Sequence, residues 1–292
     1  EADALWTFPF HSRSFSSGTV LRHIRNGTLR NTMTTPSLRT ALAGAVAALA
    51  SCATVPDGHA PATPQRPTLS SDTSTTPDGL FEVEAGVVRD STVSFDSPFT
   101  LKYGTGPATE VSAGISPYRR VDLGASEERG PGDVVFALRH RFREATDDQA
   151  ALAVQALVKI PTADDPGLGS GEVDAAIAAI AAQSFDRFSG VAYYSIGALG
   201  DPDGPADVIH NLALAVGTPL SDRFGAFAEA AAILVPSADT ENVFTTIGVT
   251  YAPQPSLVFD AGVVLGLSDE ATDWQALIGL TKNLGRISSI SN

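Results

Sequence analysis

The sequence predicts an all-β protein, a transmembrane antiparallel up-and-down β-barrel of about 12 strands with short periplasmic turns and longer extracellular loops. Its composition of 26 Gly, 19 Pro and only 18% charged residues among 292 is typical of many short strands separated by turns. Segments of strand length alternate apolar and polar side chains from residue 80 to residue 283. The connections between these segments alternate between short and long, as in membrane barrels.

The stretch 243–267 shows the repeating unit most clearly. Alternating runs at 243–251 and 257–267 are joined by the turn Ala-Pro-Gln-Pro. In the second run, Leu257 and every second residue after it are apolar, while Asp260 and two glycines lie on the other face. Each run has about the 9–11 residues that a tilted strand needs to cross a membrane. The stretch therefore predicts a membrane-spanning β-hairpin.

The same unit predicts twelve strands. They cover residues 80–90, 95–104, 108–118, 132–143, 149–161, 172–184, 188–198, 206–216, 224–235, 240–251, 256–267 and 272–283. An even number of strands places both ends of the barrel chain on one side of the membrane. The connections after even-numbered strands are predicted to be tight, and long acidic loops are predicted at 119–131, 162–171 and 199–205. Residues 173–184 are alanine-rich and favour a helix by propensity, but the hairpin rhythm around them predicts a strand.

The N-terminal residues predict export. Residues 1–32 show no sustained period, and we expect them to be a disordered upstream extension, because Met33 begins a signal-like stretch. Residues 33–52 combine a basic start, an apolar run from Ala41 and a small-residue processing site ending in Cys52, which resembles a lipobox. We expect a lipoprotein signal peptide with Cys52 lipidated. The alternative is an ordinary signal peptide with an incidental cysteine.

The predicted mature chain has three parts. Residues 53–78 are rich in Pro, Thr and Ser and contain few large apolar residues, so we expect a flexible tether. Residues 79–284 are predicted to form the barrel, and residues 285–292 a C-terminal tail.

Composition also excludes several functions. A net charge of −14 argues against nucleic acid as a partner, because phosphate binding needs clustered Lys and Arg. A single cysteine excludes an intrachain disulfide and a thiolate zinc cluster. No cofactor or metal is predicted. No Ser/His/Asp constellation stands out, so we do not expect an enzyme.

Several motifs from Gly132 onward resemble a known family. They are Gly-Asp-Val-Val-Phe-Ala-Leu-Arg-His-Arg-Phe at 132–142, Lys-Ile-Pro-Thr at 159–162 with Gly-Leu-Gly-Ser-Gly at 167–171, Thr-Pro-Leu-Ser-Asp-Arg-Phe at 218–224, and Phe-Asp-Ala-Gly-Val-Val-Leu-Gly-Leu at 259–267. The chain is similar here to the outer-membrane proteins named after the meta-pathway of phenol degradation. That resemblance implies a barrel linked to uptake of aromatic or other small hydrophobic compounds, with outer-membrane lipid and a small-molecule substrate as partners. Many barrels of this kind end on an aromatic residue, whereas this chain ends on Asn292.

The polar faces of the predicted strands supply the candidate site residues. The main lumen-lining candidates are Lys102, Glu110, Arg139, Arg141, Lys159, Glu229 and Asp260. Glu82, Glu84, Glu172 and Asp174 are also predicted to point inward. The basic members would attract a carboxylate or phenolate, or else form a salt-bridged plug with the acids. Since an unpaired buried charge is costly, Glu229 and Asp260 are expected to face those bases.

The predicted function is that of an outer-membrane transporter or channel for small, aromatic or hydrophobic compounds. Two alternatives stay open. One is a structural or ligand-binding barrel that transports nothing, and the other is a lipid-tethered periplasmic β-sandwich, which would bury its apolar face. The sequence leaves the oligomeric state open.

Overall fold

The structure is a computed structural model that describes residues 60–92, 94–122, 126–165, 167–202 and 204–286. The predicted upstream extension, signal peptide and lipidation site at Cys52 lie outside the described residues. So do the first residues of the predicted tether and residues 287–292 of the predicted tail.

Fifteen strands form one antiparallel sheet in the described residues. They are β1 (Phe81–Asp90), β2 (Phe95–Asp96), β3 (Phe99–Gly106), β4 (Thr109–Ile115), β5 (Arg119–Asp122), β6 (Glu127–Gly130), β7 (Val134–Arg143), β8 (Ala151–Ile160), β9 (Asp174–Phe185), β10 (Phe188–Leu199), β11 (Asp207–Pro219), β12 (Phe224–Val235), β13 (Thr240–Gln254), β14 (Leu257–Gly266) and β15 (Trp274–Gly285). A 3₁₀ turn spans Pro236–Ala238. No helix in this part of the chain is long and apolar enough to cross a membrane.

The sheet closes on itself. Each long strand pairs with its neighbours in the chain, and β15 returns to pair with β1 from Gly285 opposite Phe81 to Gln275 opposite Asp90. The wall is a closed antiparallel barrel of twelve strands, because β2, β5 and β6 prolong their neighbours β3, β4 and β7. The predicted fold class is confirmed. The last strand ends at Gly285, one residue beyond the predicted barrel boundary.

Prolines explain the three short strands. Pro98 separates β2 from β3, Pro117 separates β4 from β5, and Pro131 separates β6 from β7. A proline has no N–H to donate, so each interrupts the hydrogen-bond ladder locally. The pairing resumes beyond it, since β5 and β6 pair with each other as β4 and β7 do. The long loop predicted at 119–131 is therefore wrong, because most of it is a β-hairpin.

The connections lie at two ends of the barrel. The turn end holds Phe81 and Gly285, the outer limits of the wall, together with turns of two to four residues and the longer turn 144–150. That longer turn departs from the predicted tight turn, although the backbones of Thr146 and Gln149 bond to each other within it. The loop end holds the opposite connections, the longest of which is 161–173. The two-residue turns 107–108, 186–187 and 255–256 therefore all lie at the turn end, in agreement with the predicted alternation.

The wall has its apolar side chains outside and its charges inside. Large apolar side chains are exposed along the outer faces of successive strands, among them Phe136, Leu138, Ile177, Leu214, Ile247 and Ile278. Buried charged side chains lie on the inner faces, among them Glu82, Lys102, Arg139, Lys159, Glu229 and Asp260. A soluble β-sandwich would reverse this arrangement, because water would face the charges. The exposed apolar belt fits a lipid surround and contradicts the sandwich alternative.

The alanine-rich segment is a strand, as the hairpin rhythm predicts. Strand β9 pairs along its length with β8 and β10. Its inward residues Ala178 and Ile180 pair with Ser195 and Tyr193 of β10. Pairing on both sides therefore overrides the helix propensity of its alanines.

Replacing Leu214 with lysine tests the position of the lipid belt. Leu214 is 67% exposed near the middle of β11, and Leu220 is 63% exposed at the turn that follows. In liposomes, Leu214→Lys is expected to lower the free energy of unfolding by about 2–4 kcal/mol, because a charge at the bilayer centre is poorly solvated. The matched variant Leu220→Lys is expected to cost about 0–1 kcal/mol near the interface. Denaturant titration of both measures this, and equal losses would contradict a membrane-spanning β11.

Candidate functional site in the barrel lumen

Residues 60–78, here called the plug segment, enter the barrel and bond to its inner wall. Ser70, Thr73, Thr75 and Thr76 are buried there. The prediction of a flexible tether over 53–78 is therefore wrong for residues 60–78. The same hydroxyl-rich composition that predicted a tether also supplies hydrogen-bond donors, and these satisfy carboxylates that face the lumen.

The plug segment begins at the turn end, beside β1. The amide of Ala62 donates to the carbonyl of Pro255 at 2.9 Å. The amide and hydroxyl of Thr63 each donate to Glu82 at 2.9 Å, and the amide of Gln65 donates to Glu84 at 2.7 Å.

Lys102 joins these groups into one network. Its ammonium lies 2.9 Å from Glu84 and 2.7 Å from the carbonyl of Thr63, and it also contacts Glu82. All three ammonium protons therefore have acceptors. The network couples two strands of the wall to the first turn of the plug segment.

Arg66 lies against a flat part of the wall. Gly86 on β1 and Gly279 on β15 are paired neighbours, and a Cβ at either would collide with the Arg66 guanidinium. The absence of both side chains makes room for Arg66. Its Nε lies 3.7 Å from the carboxylate of Asp260 on β14. Asp260 thus faces a base of the plug segment, and the prediction that it faces a base of the wall is wrong.

The plug segment then reaches the opposite wall at Glu229 on β12. The amides of Leu69 and Ser70 each donate to this carboxylate at 2.8 Å, and the Ser70 hydroxyl donates at 2.5 Å. Glu229 is only 2% exposed. In the described residues no basic side chain forms an ion pair with it. The prediction that Glu229 faces the bases is also wrong, because backbone amides and a hydroxyl take their place.

The last part of the plug segment returns along β4 and β7. Arg139 donates to the carbonyl of Ser74 at 3.0 Å, and Arg141 donates to that of Thr73 at 3.2 Å. The amide and hydroxyl of Thr76 both donate to Glu110 at 2.8 Å. The segment ends in a parallel bridge between Asp78 and Gly104.

An internal brace closes the plug segment into a compact loop. The side-chain amide of Gln65 donates to Asp72 at 2.9 Å, and the backbone amide of Asp72 donates back to Gln65 at 2.8 Å. The Asp72 carboxylate also accepts from the amide of Ser74 at 2.6 Å. These bonds hold the two arms of the loop together independently of the wall.

A separate network organises the loop end. Lys159 bonds to Asp133 at 3.0 Å and Asp174 at 2.8 Å, and also contacts the Ser170 hydroxyl. Asp133 lies before β7 begins and accepts the amides of Thr162 and Ala163 at 2.9 and 3.0 Å. Burial alone would raise the pKa of Asp133, but these amides and the Lys159 ammonium outweigh it and hold the pKa below its usual range. The network ties loop 161–173 to the wall.

The seven main lumen candidates lie on the inner side of the wall, but the partners of Glu229 and Asp260 differ from those expected. Glu172, also predicted to point inward, lies instead in loop 161–173, before β9 begins. Lys102, Arg139, Arg141 and Lys159 contact protein acceptors, as the plug alternative predicts. Arg139 bonds to Gln155 and lies 3.9 Å from Glu110, while Arg141 pairs with Glu144. The idea that these bases attract an external carboxylate or phenolate therefore loses its support in this state.

The interior also holds an apolar cluster. Val88, Tyr193, Ile209, Phe244 and Leu277 belong to one buried cluster, and Leu69 of the plug segment packs against it. A cavity of about 130 Å³ remains between the plug segment and this wall. A space of that size holds a few waters or one small molecule. No group of three or more His, Cys, Asp or Glu among the described residues is arranged to hold a metal ion.

Sequence reasoning missed Arg66, Ser70 and Thr76, the plug residues that meet the wall. The segment shows no apolar period, because most of its contacts use backbone amides and hydroxyls. One usable signal was the single arginine in a stretch otherwise rich in Pro, Thr and Ser. An arginine there suggests an acidic partner elsewhere in the chain.

No family model matches this chain. No curated protein matches it either. Among solved structures, an outer membrane channel from Pseudomonas putida F1 aligns at 11% identity with a TM-score of 0.58, covering 73% of this chain and 98% of that one. The NanC porin aligns at 10% identity and TM-score 0.49, covering 69% and 98%. The translocator domain of the autotransporter NalP from Neisseria meningitidis aligns at 13% identity and TM-score 0.43, covering 84% and 97%.

This chain has an outer-membrane β-barrel fold. The likeness to the Pseudomonas channel, together with the lipid-facing apolar belt, supports that statement. At 11% identity, the likeness to the Pseudomonas channel shows a shared fold and does not by itself show a shared activity.

Removing the carboxylate of Glu229 tests how the plug segment is held. Glu229→Ala is expected to raise the hydrogen–deuterium exchange rates of the Leu69 and Ser70 amides by at least about tenfold, since a hydrogen bond to a charged group contributes about 1.5–3 kcal/mol. The matched control is Glu241→Ala, which removes an exposed glutamate of β13 and is expected to leave both amides unchanged. Unchanged exchange in Glu229→Ala would mean that the other anchors alone hold the loop.

Proposed function

We propose that this protein is an outer-membrane channel for small solutes, closed by the plug segment and opened when that segment moves. The observation that carries the proposal is the way the segment is attached. It lies in the lumen, it is held by hydrogen bonds, the ion pair of Arg66 with Asp260 and the packing of Leu69, and none of the wall strands needs it to complete the barrel. Water could replace most of its donors to the wall carboxylates, so its departure leaves a hydrated lumen.

The proposed orientation places the turn end in the periplasm and the loop end outside the cell. Short periplasmic turns and longer external loops are usual in outer-membrane barrels. Both ends of the wall then lie on the periplasmic side, where a lipid on Cys52 would anchor the chain to the inner leaflet. The plug segment would enter the lumen from that side, directly after the anchor.

The proposed solutes are small and at least partly apolar. The buried cluster around Tyr193 and Phe244 supports this, because apolar side chains line the lumen beside the polar sector. The resemblance to the family named after the meta-pathway of phenol degradation adds aromatic compounds as the proposed class. Membership of that family is itself part of the proposal.

A barrel that binds a ligand or serves only as structure is a second candidate. The position of the plug segment favours it, since the cavity beside it in the polar part of the lumen is only about 130 Å³. In that case the plug segment would be a permanent part of the core, and its removal would not produce a conducting pore.

Deleting residues 60–76 separates the two candidates. The deletion variant is expected to show larger single-channel conductance in planar bilayers than the full chain, because the lumen loses the loop that crosses it. A synthetic peptide of residues 60–76, added on the turn-end side, is expected to restore the closed state, while a scrambled peptide is not. Retention of the heat-dependent gel shift of a closed barrel establishes that the variant is folded. A folded deletion variant that carries no current would overturn the channel proposal.

A further inference from the structure

The wall of the lumen has acidic groups that the wall itself does not balance. Lys102 serves two glutamates, Glu82 and Glu84. Arg139 lies near Glu110, and Arg141 is paired with Glu144. Each of these three inward basic side chains therefore already has at least one acidic partner nearby. Glu229 and Asp260 are left over.

The plug segment compensates these two carboxylates. Glu229 receives two backbone amides and one hydroxyl from Leu69 and Ser70. Asp260 has the guanidinium of Arg66 at 3.7 Å. In the described residues neither carboxylate forms an ion pair with a base of the wall. Displacing the plug segment therefore removes these three donors to Glu229 and the ion-pair partner of Asp260 at once.

The two carboxylates lie where they would face the open lumen. Glu229 lies on β12 and Asp260 on β14, both on inner faces, and each is contacted by different residues of the plug segment. When that segment leaves, both side chains face the vacated space. Carboxylates in a narrow lumen with an apolar wall focus a negative potential and raise the local concentration of cations.

We propose that the open lumen prefers cations to anions, and that Glu229 and Asp260 are the residues that determine this preference. Among organic solutes it would accept those that are uncharged or carry an ammonium group more readily than carboxylates. The apolar cluster beside Glu229, where Leu69 packs in the closed state, would hold the apolar part of such a solute. This inference rests on the proposed function, since it concerns the lumen after the plug segment has moved.

The test uses the variant that lacks residues 60–76, in planar bilayers under a potassium chloride gradient. The reversal potential is expected to show a severalfold preference for potassium over chloride. Adding Glu229→Gln and Asp260→Asn keeps the size of both side chains and is expected to reduce that preference strongly. The matched control is Glu241→Gln at an exposed position of β13, which is expected to leave the preference unchanged.

A second measurement needs no substitution in the wall. With methylammonium chloride on one side and sodium acetate on the other, the deletion variant is expected to pass methylammonium more readily than acetate. This measurement decides the question even if the double variant does not fold. It also probes organic ions rather than potassium alone.

The outcomes distinguish this inference from the proposed function. A folded deletion variant without current overturns the channel itself. A conducting variant that prefers chloride or acetate, or whose preference is unchanged in the folded double variant, leaves the channel standing and overturns the role of Glu229 and Asp260. Cation preference lost in the double variant and kept in Glu241→Gln supports the inference.

Discussion

The need to solvate carboxylates inside the barrel shapes the rest of this structure. The outer face meets lipid, so charged side chains are confined to the lumen. There Glu82, Glu84, Glu110, Glu229 and Asp260 are all buried, and a buried carboxylate is costly without donors or a cation. The wall supplies too few bases. The plug segment provides the missing donors, which explains why it contains hydroxyls, free amides and one arginine in place of apolar side chains.

The barrel wall and the plug segment are held by different kinds of bond. Continuous backbone ladders join every wall strand to two neighbours, including β15 to β1. The plug segment has one backbone bridge, Asp78 with Gly104, and one backbone hydrogen bond, from Ala62 to Pro255, and its other hydrogen bonds to the wall are to side chains. The loop end has its own network around Lys159, with no member from the plug segment. The plug segment can therefore move without breaking the ladder or releasing loop 161–173.

The alternation of apolar and polar side chains explains which elements the sequence could predict and which it could not. Lipid on one side and the lumen on the other impose an alternation on every wall strand, so the bounds of β12 at 224–235 follow from the sequence alone. Even the alanine-rich strand β9 follows the regular succession of hairpins. Acidic residues between β4 and β7 suggested a loop because Pro117 and Pro131 interrupt the pattern. The plug segment has no repeating apolar pattern, since its backbone amides bind Glu229 regardless of the side chains of those residues. The pairing of Arg66 with Asp260 joins distant positions that no local pattern relates.

The stability of the closed state depends on the balance between the hydrogen bonds of the plug segment and the conformational entropy that the segment loses when it is ordered. Each hydrogen bond to a carboxylate stabilises the closed state, yet the same carboxylate would bond to water in an open lumen, so the net gain per bond is modest. Ordering the backbone of each plug residue costs about 1–2 kcal/mol. The brace between Gln65 and Asp72 offsets part of that cost, because it orders the loop without using the wall. A loop that keeps its own shape can detach as a unit, and Glu229 at its far contact is the anchor whose loss would shift the balance most.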